Sequence, residues 1–168
     1  MSEGRKNPAA KMSLVGHLGE LRGRLMSTLI VILLGTLAAF YFREEIFYWF
    51  TGPLREIPGQ QMQVLGLVEM FVAYLKLSVL AAVFGGAPWI LLQTWLFISP
   101  GLYGHEKRWI VPFILFGSGS FVGGGLFAFY VVLPLGFEQL VAMVPPDVVA
   151  NYRVEDYISL VVKLLLAF

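Results

Sequence analysis

Long apolar runs separated by short clusters of charge dominate this chain. No Asp, Glu, Lys or Arg interrupts Leu25 to Phe42, and none occurs between Lys76 and Glu106 or between Arg108 and Glu138. A helix needs about 20 apolar residues to cross a hydrocarbon core, so each run can supply one span. The pattern predicts spans over about 25–42, 70–97 and 109–133. The third should end at Pro134, because proline cannot extend a helical hydrogen-bond ladder. A fourth apolar helix is expected over 155–168, too short to cross. The chain thus reads as one membrane domain over 1–168 that stops inside its fourth span. The first run is too long and too far inside the chain for a cleavable signal, and it lacks a small-x-small site before Arg43.

Composition agrees with this reading and narrows the chemistry. Hydrophobic residues make up 58% and charged residues 14%, with a mean hydropathy of +0.76. The predicted class is all-α: a polytopic helical membrane protein with an N-terminal amphipathic helix, three complete spans and the start of a fourth. Twelve basic and eleven acidic residues leave a net charge of +1, so no global field recruits nucleic acid. With no cysteine there are no disulfides or thiolate ligands, and two histidines far apart give a metal site little support. HExxH, P-loop and dinucleotide motifs are absent, and neither Ser118 nor Ser120 follows the Gly-x-Ser pattern of a rhomboid-like nucleophile. No enzyme and no cofactor are expected.

The position of the charges sets the orientation. Arg5, Lys6, Lys11, Arg22 and Arg24 precede the first span, whereas the next loop has Arg43 and Arg55 against Glu44, Glu45, Glu56 and Glu69. The N-terminus is therefore expected in the cytoplasm. Lys107 and Arg108 between spans two and three agree, and Glu138, Asp147, Glu155 and Asp156 fit an outer loop. Lys76, just inside span two, is expected to snorkel to the outer interface. Trp49, Pro53, Pro58 and the nearby glycines predict a small outer cap built from a short interfacial helix and turns.

Two polar clusters stand out. In "HLGELRGRL", His17, Glu20 and Arg24 share one face of a helix, opposite a stripe of Leu14, Leu18, Leu21 and Leu25. One reading is a solvated collar whose arginines enforce topology. The other uses Glu20 as an acceptor. In "FISPGLYGHEKR", Glu106 lies on the same side of the membrane as Glu20. Two such carboxylates suit a ligand with two guanidiniums, since Arg–carboxylate pairs can be bidentate; the alternative is a loop in which Glu106 is neutralised by Lys107 and Arg108.

Elsewhere the expectations are structural. Gly119 and Gly123, with Ser120 and Gly124, form a small-residue face suited to internal helix packing or to a partner. Pro88 should kink span two, and Gln93 should bond across helices. Trp89, Trp95, Tyr103 and Trp109 read as an interfacial belt.

Taken in order, "HLGELRGRL", Pro53, "EMFVAYLKLS", "APWILLQTWLFISPGLYGHEKR" and "FAFYVVLPLGF" resemble the TatC family, the polytopic subunit of the twin-arginine protein translocase. The likeness covers essentially the whole chain. It implies a six-span protein of the inner (cytoplasmic) membrane, or of the thylakoid in a plastid, with both termini cytoplasmic. It also implies a receptor for twin-arginine signal peptides of folded precursors, assembled with TatA-like and TatB-like single-span subunits and with other copies of itself. Transport would draw on the proton gradient. Residue by residue, Glu20 and Glu106 match the signal-recognition acids. Arg22 and Leu25 match sensitive positions of the first motif, to which Arg24 and His17 also belong. Pro53 matches a position in the first outer loop, and Phe71, Pro88 and Phe97 match positions in or beside span two. Where many members have Ser-Pro, this chain has Gly66-Leu67-Val68-Glu69. The competing class is a small-solute transporter or channel, but such proteins place ionisable or unwound elements at the midplane, and the three runs offer only Gln93, serines and glycines there.

Overall fold

The computed structural model describes residues 14–55, 62–98, 109–145 and 151–168. Helix α1 (Leu14–Tyr41) is followed by two short helices, α2 (Arg43–Phe50) and α3 (Gly52–Arg55), and by strand β1 (Met62–Gln63). Helix α4 (Glu69–Ile98) returns antiparallel to α1. Next come α5 (Ile110–Phe127), a π-helical turn (Ala128–Val132), α6 (Leu133–Ala142), strand β2 (Tyr152–Arg153) and α7 (Val154–Ala167). Three helical stretches are long and apolar enough to cross a bilayer: Gly16–Tyr41, Glu69–Ile98 and Ile110–Ala142.

As expected, the amphipathic N-terminal segment runs straight into the first span as the first turns of α1, because nothing between Leu14 and Tyr41 breaks helical geometry. One departure from the expected spans has a local cause. The third helix does not stop at Pro134; it runs to Ala142. The π turn makes this possible: Leu133 N–H donates to the Ala128 carbonyl, five residues back. A widened turn just before Pro134 relieves the clash of the ring with the preceding turn and absorbs the missing donor. Pro88 also sits inside an uninterrupted helix.

The core lies at the end of the bundle where α1 ends and α4 begins. Val154, Tyr157, Ile158, Val161 and Leu165 form one buried stripe on α7, which packs against Ala73, Leu77 and Leu80 of α4 and Phe129, Leu133 and Phe137 after α5. Phe47 and Phe50 of α2 close this core from above. The Tyr157 hydroxyl donates to the Phe50 carbonyl at 3.0 Å, satisfying a free end of α2. The expected cap of short helices is thus present, with one addition: β1 and β2 pair in parallel, Met62 with Tyr152 and Gln63 with Arg153.

Away from that core the bundle is apolar on its outside. Leu29, Leu33 and Leu37 of α1 are all exposed, as lipid-facing positions should be. Close helix approach uses small residues, only in part those expected. A Cβ on Gly35 would stand 3.1 Å from Ala82 Cβ, where α1 crosses α4. Gly119 and Gly123 have nothing within 4 Å among the described residues, and Ser120 is exposed. Of that expected face α5 uses Gly124, whose Cβ would meet the Phe168 carbonyl oxygen at 2.7 Å, and beside it Gly125, which lies under the Phe84 ring. Phe84 is itself stacked on Phe121 at 4.5 Å and has little room to turn. Gly125→Val should therefore lower stability by about 1–3 kcal/mol through overpacking, while Gly119→Val should leave thermal unfolding in detergent nearly unchanged.

Candidate functional site

The polar face of the first motif is brought against the end of α4. Arg24 Nε donates to Glu20 Oε1 at 3.1 Å, and its NH2 group reaches the same oxygen. This is the i,i+4 pair that helical periodicity predicts. The third guanidinium nitrogen, NH1, donates to Gln93 Oε1 across the helix interface at 3.4 Å, so Gln93 bonds between helices as expected. The His17 ring stacks on Phe97, centroids 4.3 Å apart and planes 16° from parallel. Its Nδ1 stands 4.0 Å from Glu20 Oε2. That oxygen is shielded from solvent and has no hydrogen-bond partner among the described residues. Glu20 therefore carries one oxygen engaged inside the protein and one acceptor left over.

His17, Glu20, Arg24, Gln93 and Phe97 thus form one cluster. Arg22 and Leu25 do not belong to it: both are exposed. Glu106 and the rest of the 99–108 connection lie outside the described residues. Phe71 is at the opposite end of α4, exposed, with its edge toward Phe40 at 5.9 Å. Pro88 is exposed along α4. Pro53 lines a cavity under the cap with Trp49, Phe129, Tyr130, Pro134 and Glu138. The Trp95 indole packs on Phe113 of α5 at 4.8 Å.

A second polar cluster, at the cap end, went unassigned in the sequence reading. Glu69 is only 3% exposed. Its Oε2 accepts from Leu65 N–H at 2.8 Å and Gly66 N–H at 3.1 Å, and its Oε1 accepts from Glu155 N–H at 3.0 Å. One carboxylate thereby closes the turn before α4 and caps the start of α7. Arg153 NH2 lies 3.8 Å from Glu69 and 3.6 Å from Glu155. Lys76 does not snorkel free; its Nζ donates to Ser159 Oγ at 3.0 Å and meets Glu155 Oε1 at 3.5 Å on α7. No single hydropathy signal marks Glu69, because its partners are backbone groups distant in sequence.

The two roles differ in consequence. Lys76→Met should cost less than about 1 kcal/mol, as interhelical polar contacts in membranes usually do. Glu69→Ala should cost clearly more, because three N–H groups lose their acceptor at once. Thermal unfolding of the two variants side by side checks the order.

Known proteins share this sequence and fold. The family model described as "Sec-independent protein translocase protein (TatC)" matches residues 16–168. A Sec-independent protein translocase protein TatC of Magnetococcus marinus is 39% identical over 94% of this chain and 59% of its own length. The Escherichia coli protein of the same name is 36% identical over 92% of this chain and 61% of its own length. The chain thus spans about three fifths of these relatives. A crystal structure of the twin arginine translocase receptor TatC superposes with a TM-score of 0.81 at 36% identity, covering 90% of this chain and 68% of that one. Matching in sequence over nearly its whole length and in the packing of its helices, the chain belongs to the TatC family of Sec-independent protein translocase proteins, and is a membrane protein.

Proposed function

We propose that this chain is the signal-peptide-recognising part of a twin-arginine protein translocase, with Glu20 and Glu106 as acceptors for the two arginines of a precursor's signal peptide. The observation that carries the reading is the state of Glu20. One of its oxygens is bonded to Arg24, which is itself tied to Gln93 of α4, and the other has no hydrogen-bond partner among the described residues. A guanidinium donating to such a shielded carboxylate gains a charge-assisted hydrogen bond in a medium less polar than water. Lysine in the peptide would bind less well, because an ammonium cannot reproduce the planar fork of an arginine.

In this reading the N-terminus is cytoplasmic, in the inner membrane, and the recognition face lies where α1 begins and α4 ends. His17 and Phe97 wall the acceptor, while Arg22 and Leu25 offer an outward face to the rest of the peptide. Pro53, Phe71 and Pro88 shape the cap and the second span. TatA-like and TatB-like subunits and further copies of the chain complete the translocase, and the helix begun by α7 is the fourth span of a longer domain. No covalent chemistry is needed.

The test is photocross-linking of a twin-arginine signal peptide, with the probe beside the arginine pair, to the protein in membrane vesicles. Cross-linking should be lost in Glu106→Ala and in Glu20→Ala while both variants still insert. Undiminished cross-linking in both would sink the proposal.

A further inference from the structure

We infer that Arg24 is a resident guanidinium that competes with the ligand's arginine for Glu20, and that Gln93 is the acceptor on which Arg24 rests when it lets go. This rests on the receptor reading above and specifies how its acceptor is regulated. Arg24 directs two of its nitrogens to one oxygen of Glu20, and its third to Gln93. The guanidinium thus already sits between two acceptors, one on its own helix and one on α4. Rotating it fully onto Gln93 needs side-chain torsions alone, since it touches Gln93 in the resting state.

The geometry also explains why the competition matters. Glu20 Oε2 lacks a hydrogen bond, yet it is covered from solvent. His17, stacked on Phe97, lies beside it. A ligand arginine that engaged only this oxygen would meet a carboxylate already half-neutralised by Arg24. With Arg24 released to Gln93, Oε1 is freed as well, and a bidentate pair becomes possible once the ligand displaces the cover over Oε2. An arginine fork can use both oxygens whereas an ammonium cannot, so the resident guanidinium raises the threshold for every cation and lowers it again only for one that can replace the fork. Arg24 and Gln93 are therefore positioning residues, acting through Glu20.

The experiment is titration of a labelled twin-arginine peptide, and of its twin-lysine counterpart, against the 168-residue chain in lipid nanodiscs. Arg24→Gln should tighten twin-arginine binding about two- to tenfold, the range expected for removing an i,i+4 competitor at a half-buried site. It should tighten the twin-lysine peptide more, narrowing discrimination. Gln93→Ala alone should weaken twin-arginine binding. In the Arg24→Gln background Gln93→Ala should do nothing further, because the resting acceptor has no resident to hold.

Weaker binding in Arg24→Gln, or additive effects in the double variant, would overturn the inference; a merely structural contact would give both. Helix content and melting of each variant separate misfolding from these outcomes. If Glu20→Ala binds as well as the unaltered chain, the receptor reading fails, and this inference with it. If Glu20→Ala loses binding while Arg24→Gln also weakens it, the receptor reading stands and only the competitor role is refuted.

Discussion

Replacing Glu20 by alanine is expected to lower affinity for a twin-arginine peptide roughly ten- to a hundredfold, the worth of losing hydrogen bonds to a charged group. Two effects act in the same direction. The acceptor disappears, and Arg24 loses its main partner, since both of its strongest bonds go to Glu20 Oε1. What had been a half-neutralised carboxylate becomes a site of net positive charge facing an incoming guanidinium. Removing Arg24 in the same background should recover part of the loss, because repulsion goes with it. Glu20→Gln separates charge from shape: the amide oxygen still accepts, yet affinity should stay well below that of the carboxylate. Peptide titration under low and physiological salt reads all three, and the deficit of Glu20→Ala should shrink as salt rises. Affinity unchanged by the alanine substitution would remove Glu20 from the recognition surface.

Phe129→Ala should be the most damaging single change to the fold, about 3–5 kcal/mol, as expected for truncating a buried aromatic side chain. Phe129 is 2% exposed and belongs to the π turn. Its ring stacks on Trp49 at 4.6 Å and meets the edge of Phe50 at 5.4 Å. Its removal would therefore open a cavity under α2 and loosen the cap that α2, α6 and α7 share. Trp49, half-exposed, would lose one stacked face. The measurement is thermal unfolding in detergent, with Phe129→Leu as the conservative comparison, expected to lose much less. Signal-peptide affinity should change little in Phe129→Leu, because the cluster around Glu20 lies at the other end of the bundle.

The legibility of this protein differs sharply between its apolar and polar parts. The three long helices follow from uncharged runs of membrane-crossing length, so a count of charges places them to within several residues. Their ends are harder. Pro134 reads as a stop, yet the chain passes through it, because a single π turn at Ala128–Val132 changes which carbonyl each N–H meets. That adjustment is set by the packing of Phe129 and Leu133 in the shared core, and periodicity carries no trace of it. The glycine face is a similar case: Gly119 and Gly123 have the right spacing, but the contacts fall on Gly124 and Gly125, because helix rotation is decided by which neighbours α5 meets.

Among polar residues, the i,i+4 relation of Glu20 and Arg24 is a property of any helix and could be read directly. The tie from Arg24 to Gln93 and the stacking of His17 on Phe97 join residues far apart in the chain. They exist only because α1 and α4 run antiparallel in one register. Glu69 is the extreme case. As one of several acids in a loop it counts toward topology, whereas in the fold it accepts three backbone N–H groups from two distant segments.

By itself, then, the sequence determined that this is a helical membrane protein, where its long helices lie, and that a carboxylate and a guanidinium share the first turns of α1. These depend on local spacing and on the cost of burying charge in hydrocarbon, both of which act one segment at a time. Only the tertiary structure decided that one oxygen of Glu20 is taken and the other left over, that Gln93 stands ready beside Arg24, and that Glu69 holds the cap. Those are contacts between segments, and their geometry is set by packing that no single segment contains.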